Sequence, residues 1–294
     1  MCDEDVSPGI VRDTSKMSRR NFSTLSAVTA GVAVTGLAGC ATSSGGAAAA
    51  KEVTVKDVEI TTADGKADAA LFYPTGRGKW PAVLIWPDIM SLRPAFRDIG
   101  KALASEGYVV LIPNIYYRAK KAPVIGDNFN FARDRAQLPA TPNMDLVDKD
   151  CNTFIAFLDA QPQTNKKKKM GVQGYCWGGP PVMRTVGNHP DRVAAGATFH
   201  GGGLTSAAAT SPHTFAAKNP AAEFLNCIAQ NDDMSQPTSK TILNTTYETN
   251  KQAHHVEVFR ANHGWCVAGS DVYNKAEADR AWALLLPMYK RKLV

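Results

Sequence analysis

Three residue types placed at the ends of apolar runs point to nucleophilic acyl chemistry. Gly174-Tyr175-Cys176-Trp177-Gly178 is G-x-C-x-G, the strand–turn–helix pattern that exposes a nucleophile on a sharp elbow, with sulfur in place of a serine oxygen. Glycines two before and two after the nucleophile let strand and helix approach closely while the turn residue takes a strained backbone. A helix beginning behind Cys176 favours the thiolate, which is the reactive form. Taken alone, the pentapeptide also fits a structural cysteine beside an unrelated glycine turn. The partners decide between the two.

A cysteine nucleophile needs a base that takes the thiol proton and returns it to the leaving group, and an acid that orients the base. On this kind of scaffold the chain order is nucleophile, acid, histidine. Cys176, then Asp232 or Asp233, then His263 satisfy that order. Of the two aspartates, Asp233 is expected as the acid and Asp232 as a helix cap or surface residue. His200 also ends a strand, but it precedes the acid, so it is expected as a wall or supporting residue. The developing oxyanion needs two pre-aimed donors. The Trp177 amide, just after the nucleophile, is one. The Ile89 amide, in the loop after the strand at 81–86, is the other. Asp88 beside it is either a plain turn residue or a group that keeps the thiol protonated until substrate arrives. Cys266, one helical turn past His263, reads as a packing residue that could switch activity by oxidation if it reached Cys176.

These residues need a scaffold. An alternating segment at 53–60, a turn at 63–66 and a partner at 68–73 predict a hairpin. Continuous apolar runs at 81–86 and 108–113 predict strands covered on both faces. Further strands are expected up to Tyr175 and at 193–199, 224–229 and 256–259. Helices are expected from Pro94 to Gly107, over 145–160, from Trp177 to near Asn188, and at the C-terminus, where Pro287 should kink the helix or shift its end. The irregular stretch 114–143 is long enough to suggest a lid. The fold class expected is α/β, a mostly parallel sheet with helices on both faces and its site at the strands' carboxyl ends.

Ser18-Arg19-Arg20-Asn21-Phe22-Ser23 carries a twin arginine followed by an uncharged apolar run over 25–37. That run is too short for a stable span and fits a Tat-type export signal. Leu37-Ala38-Gly39-Cys40 resembles a lipobox, with Cys40 as the lipidated residue. Residues 1–39 are therefore expected as the signal, 40–51 as a small-residue linker, and 52–294 as one domain. The expected location is periplasmic, with the membrane reached through the lipid anchor. Four acidic and four basic residues balance in the signal, so the formal +6 belongs to the rest of the chain. Lys166–Lys169 lacks interleaved aromatics and reads as a solvated face rather than a nucleic-acid patch, so no nucleic-acid partner is expected. The cysteines show neither metal-ligand spacing nor a disulfide framework, so no metal or cofactor is expected.

Beyond the elbow, Trp86-Pro87-Asp88-Ile89, Arg97-Asp98, the run 106–113, Phe199-His200-Gly201-Gly202, Asn231-Asp232-Asp233 and His263-Gly264-Trp265 together resemble the dienelactone hydrolase family (carboxymethylenebutenolidase-like α/β-hydrolases) over about 52–293. The resemblance implies an α/β-hydrolase fold with Cys176 and His263 in the triad. It implies Asp233 as the acid, four residues before Pro237. Asp88 stands where the family has a thiol-gating glutamate, and Ser91 where that loop commonly has glycine. The family clamps a substrate carboxylate with arginines, one shortly after the histidine. Here Gly264-Trp265-Cys266-Val267-Ala268 has none, and Arg133 or Arg135 remains for the other. A small ester or lactone is thus the expected substrate, through a thioester acyl-enzyme and without a cofactor. The rivals are a catalytically silent binding protein on the same scaffold and a thiol redox protein using Cys176 and Cys266.

Overall fold

The computed structural model describes residues 50–126 and 128–294. The signal, Cys40 and most of the expected linker lie outside the described residues. Eight strands form one sheet in the order β1-β2-β4-β3-β5-β6-β7-β8. They are β1 (Val53–Thr62), β2 (Gly65–Pro74), β3 (Ala82–Trp86), β4 (Val109–Pro113), β5 (Met170–Tyr175), β6 (Val193–Phe199), β7 (Glu223–Ala229) and β8 (His254–Phe259). β1 and β2 make the expected hairpin, turning at Gly65 with φ 128°, and β2 runs antiparallel to β4. All remaining pairings are parallel. β3, β4, β5 and β6 are buried along their whole length, as continuous apolar runs require when helices cover both faces.

The helices are α1 (Pro94–Ser105), α2 (Phe131–Asp134), α3 (Met144–Ala160), α4 (Gly179–Asn188), α5 (Gln230–Ser235), α6 (Ser239–Thr249) and α7 (Lys275–Leu293). Pro94 opens α1, where its missing N–H costs nothing. Asn143 and Asn274 cap α3 and α7 by accepting the amides of Leu146 and Glu277. α1 and α7 bury Phe96, Leu103, Leu285 and Tyr289 on one face of the sheet. Phe154 and Leu158 of α3, Val182 and Val186 of α4, and Tyr247 of α6 fill the other. α7 continues through Pro287 to Leu293, so the proline does not end the helix. The 114–143 stretch is not wholly irregular. It holds α2, capped by Asn130, and a 3₁₀ turn at Arg135–Gln137. No helix among the described residues is long and apolar enough to cross a membrane.

Gln173, a polar residue in the central strand, is explained by its partners. Its amide donates to the Tyr175 hydroxyl (2.9 Å) and its carbonyl accepts from the Tyr289 hydroxyl of α7 (3.1 Å). The buried polar group is satisfied on both ends and ties α7 to the strand that delivers Cys176.

Candidate active site

β5 ends at Tyr175 and a 3₁₀ turn, Cys176–Gly178, leads into α4. Cys176 takes φ 51°, a left-handed conformation that non-glycine residues rarely adopt. Two glycines make the elbow fit. A Cβ on Gly174 would lie 2.6 Å from the Gly178 carbonyl carbon and closer to its oxygen, and one on Gly178 would collide with the Trp86 carbonyl. The obstacles are backbone, so they cannot move aside. Gly178→Ala is expected to cost ~3 kcal/mol, the upper end for overpacking. That corresponds to a melting temperature about 6–12 °C lower for a domain of this size, readable by circular dichroism.

His263 follows β8, in a loop stitched to the start of α5. The Gln230 amide donates to the Ala261 carbonyl (3.0 Å), and the Gln230 side chain donates to Asn262 (2.9 Å). The Asn231 carboxamide oxygen accepts the His263 backbone amide (2.8 Å), and Asp232 Oδ2 meets His263 Nδ1 at 2.7 Å. Asp232, not Asp233, is therefore the carboxylate on the histidine. Successive residues of a helix point about 100° apart, and α5 turns Asp233 the other way, onto Lys240 of α6 (2.7 Å). Spacing from Pro237 could not reveal the phase of that helix. Nor did the sequence flag Asn231 as the residue holding the histidine's backbone. The signal available was its place beside the two acids.

Burial pushes the His263 imidazole down. Hydrogen bonding to Asp232, together with the charges of Asp232 and Cys176, more than reverses this and raises its pKa to about 10. Nδ1 is taken by Asp232, which leaves Nε2 as the ring's other nitrogen. His200 follows β6 at φ 41° and is buried, its ring edge-on to His263 (centroids 4.9 Å apart) and to Trp265 (5.1 Å). Burial, then the neighbouring His263 charge, holds His200 well below the ordinary histidine range. It stands neutral against the ring of His263. Cys266 is half-exposed as a residue, but burial of its thiol raises its pKa, and all four cysteines among the described residues are free.

The loop after β3 carries Ile89. The Asp88 carbonyl accepts the Ser91 amide (2.9 Å), and the Ile89 carbonyl accepts the Tyr116 hydroxyl (2.8 Å). Among the hydrogen bonds of the described residues the Ile89 amide donates to no protein acceptor. Trp177 stands second in the 3₁₀ turn, where backbone amides have no partner within the helix. Ser91, at φ 59°, occupies the left-handed position where glycine is common in the similar family. Asp88 departs from the gating role that the resemblance implied. It is buried, and its two oxygens are taken by Arg93 (2.7 and 2.8 Å) and by the Met90 amide (2.9 Å). Arg133 pairs with Asp134 at 2.6 Å, so it is not a free carboxylate clamp. Surface clefts of about 310 and 250 Å³ open beside Arg97 and between β8 and α7, neither lined by Cys176 or His263. Among the described residues no group of His, Cys, Asp and Glu could hold a metal ion.

A sheet of this order, with a tight-turn residue after its fifth strand and a histidine after its eighth, defines an α/β-hydrolase. The family model "Dienelactone hydrolase family" matches residues 67–293. The chain belongs to the dienelactone hydrolase family. A "Putative carboxymethylenebutenolidase" of Synechocystis sp. (strain ATCC 27184 / PCC 6803 / Kazusa) is 27% identical over 229 residues, covering 75% of this chain and 89% of that protein. The "Carboxymethylenebutenolidase" of Rhodococcus opacus is 30% identical over 118 residues, 40% of this chain and 43% of that one. Among solved structures, a "Putative Dienelactone Hydrolase" from Klebsiella pneumoniae subsp. pneumoniae MGH 78578 superposes with TM-score 0.67 at 19% identity. It covers 82% of this chain and 100% of that chain.

Proposed function

We propose that this hydrolase cleaves a small carboxylic ester or lactone with Cys176 as nucleophile, His263 as proton carrier and Asp232 as the orienting acid. The supporting observation is the 2.7 Å contact between Asp232 and a His263 ring whose pKa is raised in part by Cys176. An imidazolium at neutral pH beside a cysteine is the form that keeps the thiolate paired and ready to attack.

In this scheme the Cys176 sulfur attacks the carbonyl carbon, and the carbonyl π pair moves onto oxygen. The amides of Ile89 and Trp177 receive that oxyanion. Its collapse breaks the carbon–oxygen bond, and the leaving alkoxide takes the proton from His263 Nε2. The neutral imidazole then takes a proton from water as the hydroxyl attacks the thioester. Collapse of the second tetrahedral species releases the acid and returns Cys176 as thiolate beside imidazolium. A lactone follows the same route, its leaving oxygen staying attached to the acyl group. The neutral wall of His200 favours a single proton carrier, because a second charged imidazole at that distance would repel the first. The twin arginine and Cys40 add the proposal that this chemistry takes place in the periplasm on a lipid anchor.

The acyl-enzyme is the test. Acid quench of the reaction with p-nitrophenyl acetate is expected to show one added acetyl group, mapped by peptide mass to Cys176 and removed by neutral hydroxylamine. Burst release of p-nitrophenol without acetyl on Cys176 would overturn the assignment of the nucleophile.

A further inference from the structure

The peptide planes on both sides of Ile89 are pinned, and a buried ion pair secures one of the groups that pin them. The plane between Asp88 and Ile89 is held through the Asp88 carbonyl, which accepts the Ser91 amide. The plane between Ile89 and Met90 is held at both ends, its carbonyl by the Tyr116 hydroxyl and its N–H by Asp88 Oδ1. With those groups fixed, the Ile89 N–H has one direction left. The Asp88 carboxylate is in turn gripped by both terminal nitrogens of Arg93, and Arg93 Nη1 also reaches the Ser91 carbonyl (3.3 Å). Carboxylate and guanidinium are both about nine-tenths buried. The geometry is the planar, two-pronged match that arginine makes and lysine cannot.

The rest of the surroundings bind this loop to the sheet. Ser91 Oγ donates to Asn114 Oδ1 (2.9 Å) and accepts the Ile115 amide (3.0 Å). Fully buried Asn114 receives the Tyr116 amide (3.0 Å) and donates to Asp68 of β2 (3.0 Å). Tyr116 is thereby fixed from behind, with its hydroxyl on the Ile89 carbonyl. A buried charge pair of this kind adds little net stability over an apolar pair of the same shape. Its presence beside the reacting centre calls for another reason.

We propose that the Asp88–Arg93 ion pair, seconded by Tyr116, is the brace that aims the Ile89 amide at the developing oxyanion. The proposal rests on the reading of Ile89 as an oxyanion donor. It assigns Asp88, Arg93 and Tyr116 as positioning residues that do not touch the reacting atoms. It also replaces thiol gating at Asp88. A donor rigidly aimed before substrate arrives costs no reorganisation during the reaction, whereas a displacement of about 1 Å can cost ~100-fold.

The test uses the full-length chain and its variants Tyr116→Phe, Arg93→Lys and Asp88→Asn. Turnover of p-nitrophenyl acetate is read beside inhibition by an alkyl trifluoromethyl ketone, whose thiol adduct carries an oxyanion. The alkylation rate of Cys176 by iodoacetamide, which needs no oxyanion donor, is the third reading. Expected are losses in kcat of about 10-fold for Tyr116→Phe and ~100-fold for Arg93→Lys. Ketone inhibition should weaken by matching factors, while KM and alkylation stay within about 3-fold. Tyr116→Phe deletes one hydroxyl and keeps the ring, so it remains informative if the charge variants unfold. Unchanged kcat and ketone inhibition in folded Tyr116→Phe and Arg93→Lys would sink the brace alone. Faster alkylation of Asp88→Asn with turnover preserved would restore the thiol gate in its place. A parent enzyme whose turnover does not depend on Cys176 would instead remove the proposed function itself, and the brace with it.

Discussion

Cys176→Ala is expected to lower kcat/KM for p-nitrophenyl acetate by about 10⁴-fold or more, the scale on which removal of a nucleophile acts. The melting temperature should move little, because the side chain is small and only partly buried. Cys176→Ser should not recover the activity. A hydroxyl does not give up its proton to form a stable pair with imidazolium, and His263 is arranged around that pair, its pKa raised to about 10 in part by the sulfur. The measurement is initial-rate kinetics on purified parent and variants, with the variants' spontaneous background subtracted. Equal slow rates in parent and Cys176→Ala would move a non-catalytic binding protein to first place.

The second large effect separates two adjacent carboxylates. Asp232→Asn is expected to lower kcat by ~100-fold or more, since an amide neither fixes the productive tautomer nor stabilises the imidazolium. Asp233→Asn should stay within about 3-fold, because Asp233 is engaged with Lys240 and acts on stability alone. The pH profile carries the sign. In the parent, the ring holds its proton up to about pH 10, so kcat/KM should fall as pH rises through that value and the leaving group loses its acid. Asp232 is one of the groups raising that pKa, so Asp232→Asn should shift the alkaline limb to lower pH. A loss of activity confined to Asp233→Asn, with the limb unmoved in Asp232→Asn, would restore the acid expected from sequence. The same linkage acts on stability. A raised histidine pKa stabilises the fold fully below its ordinary value of 6.5, and this contribution fades as pH climbs through about 10.

Much of the site could be read locally. The elbow was legible because Gly174 and Gly178 announce a close backbone approach, and a Cβ at either position would strike backbone. Ile89 and Trp177 were named from their chain positions relative to a strand end and a nucleophile, and their roles stay with the proposed function. The acid was not legible. Asp232 and Asp233 are neighbours of one type, and a proline spacing says nothing about the rotation of the six-residue helix that carries them. Asp88 was read from a family position, but its partner lies five residues on, in an arginine that no motif marks. Only the folded loop brings the two charges together out of water. The C-terminal helix was legible from its apolar face, and α7 keeps its course through Pro287 because packing of Leu285, Met288 and Tyr289 on the sheet outweighs one lost hydrogen bond.

The amino-acid sequence by itself determined where the strands and the four helices α1, α3, α4 and α7 run, though not α2, α5 or α6, that the sheet is mostly parallel and covered on both faces, and which cysteine and histidine stand at strand ends. Those features follow from hydrophobic period, from the backbone freedom of a few glycines, and from the order of chemical groups along the chain. The tertiary structure alone decided the strand order, the choice of Asp232 over Asp233, the stitching of the histidine loop by Gln230 and Asn231, and the Asp88–Arg93 pair. Each depends on the phase of one element against another distant in sequence. Such phases are set by packing and by the need to satisfy buried polar groups, and neither leaves a local pattern to read.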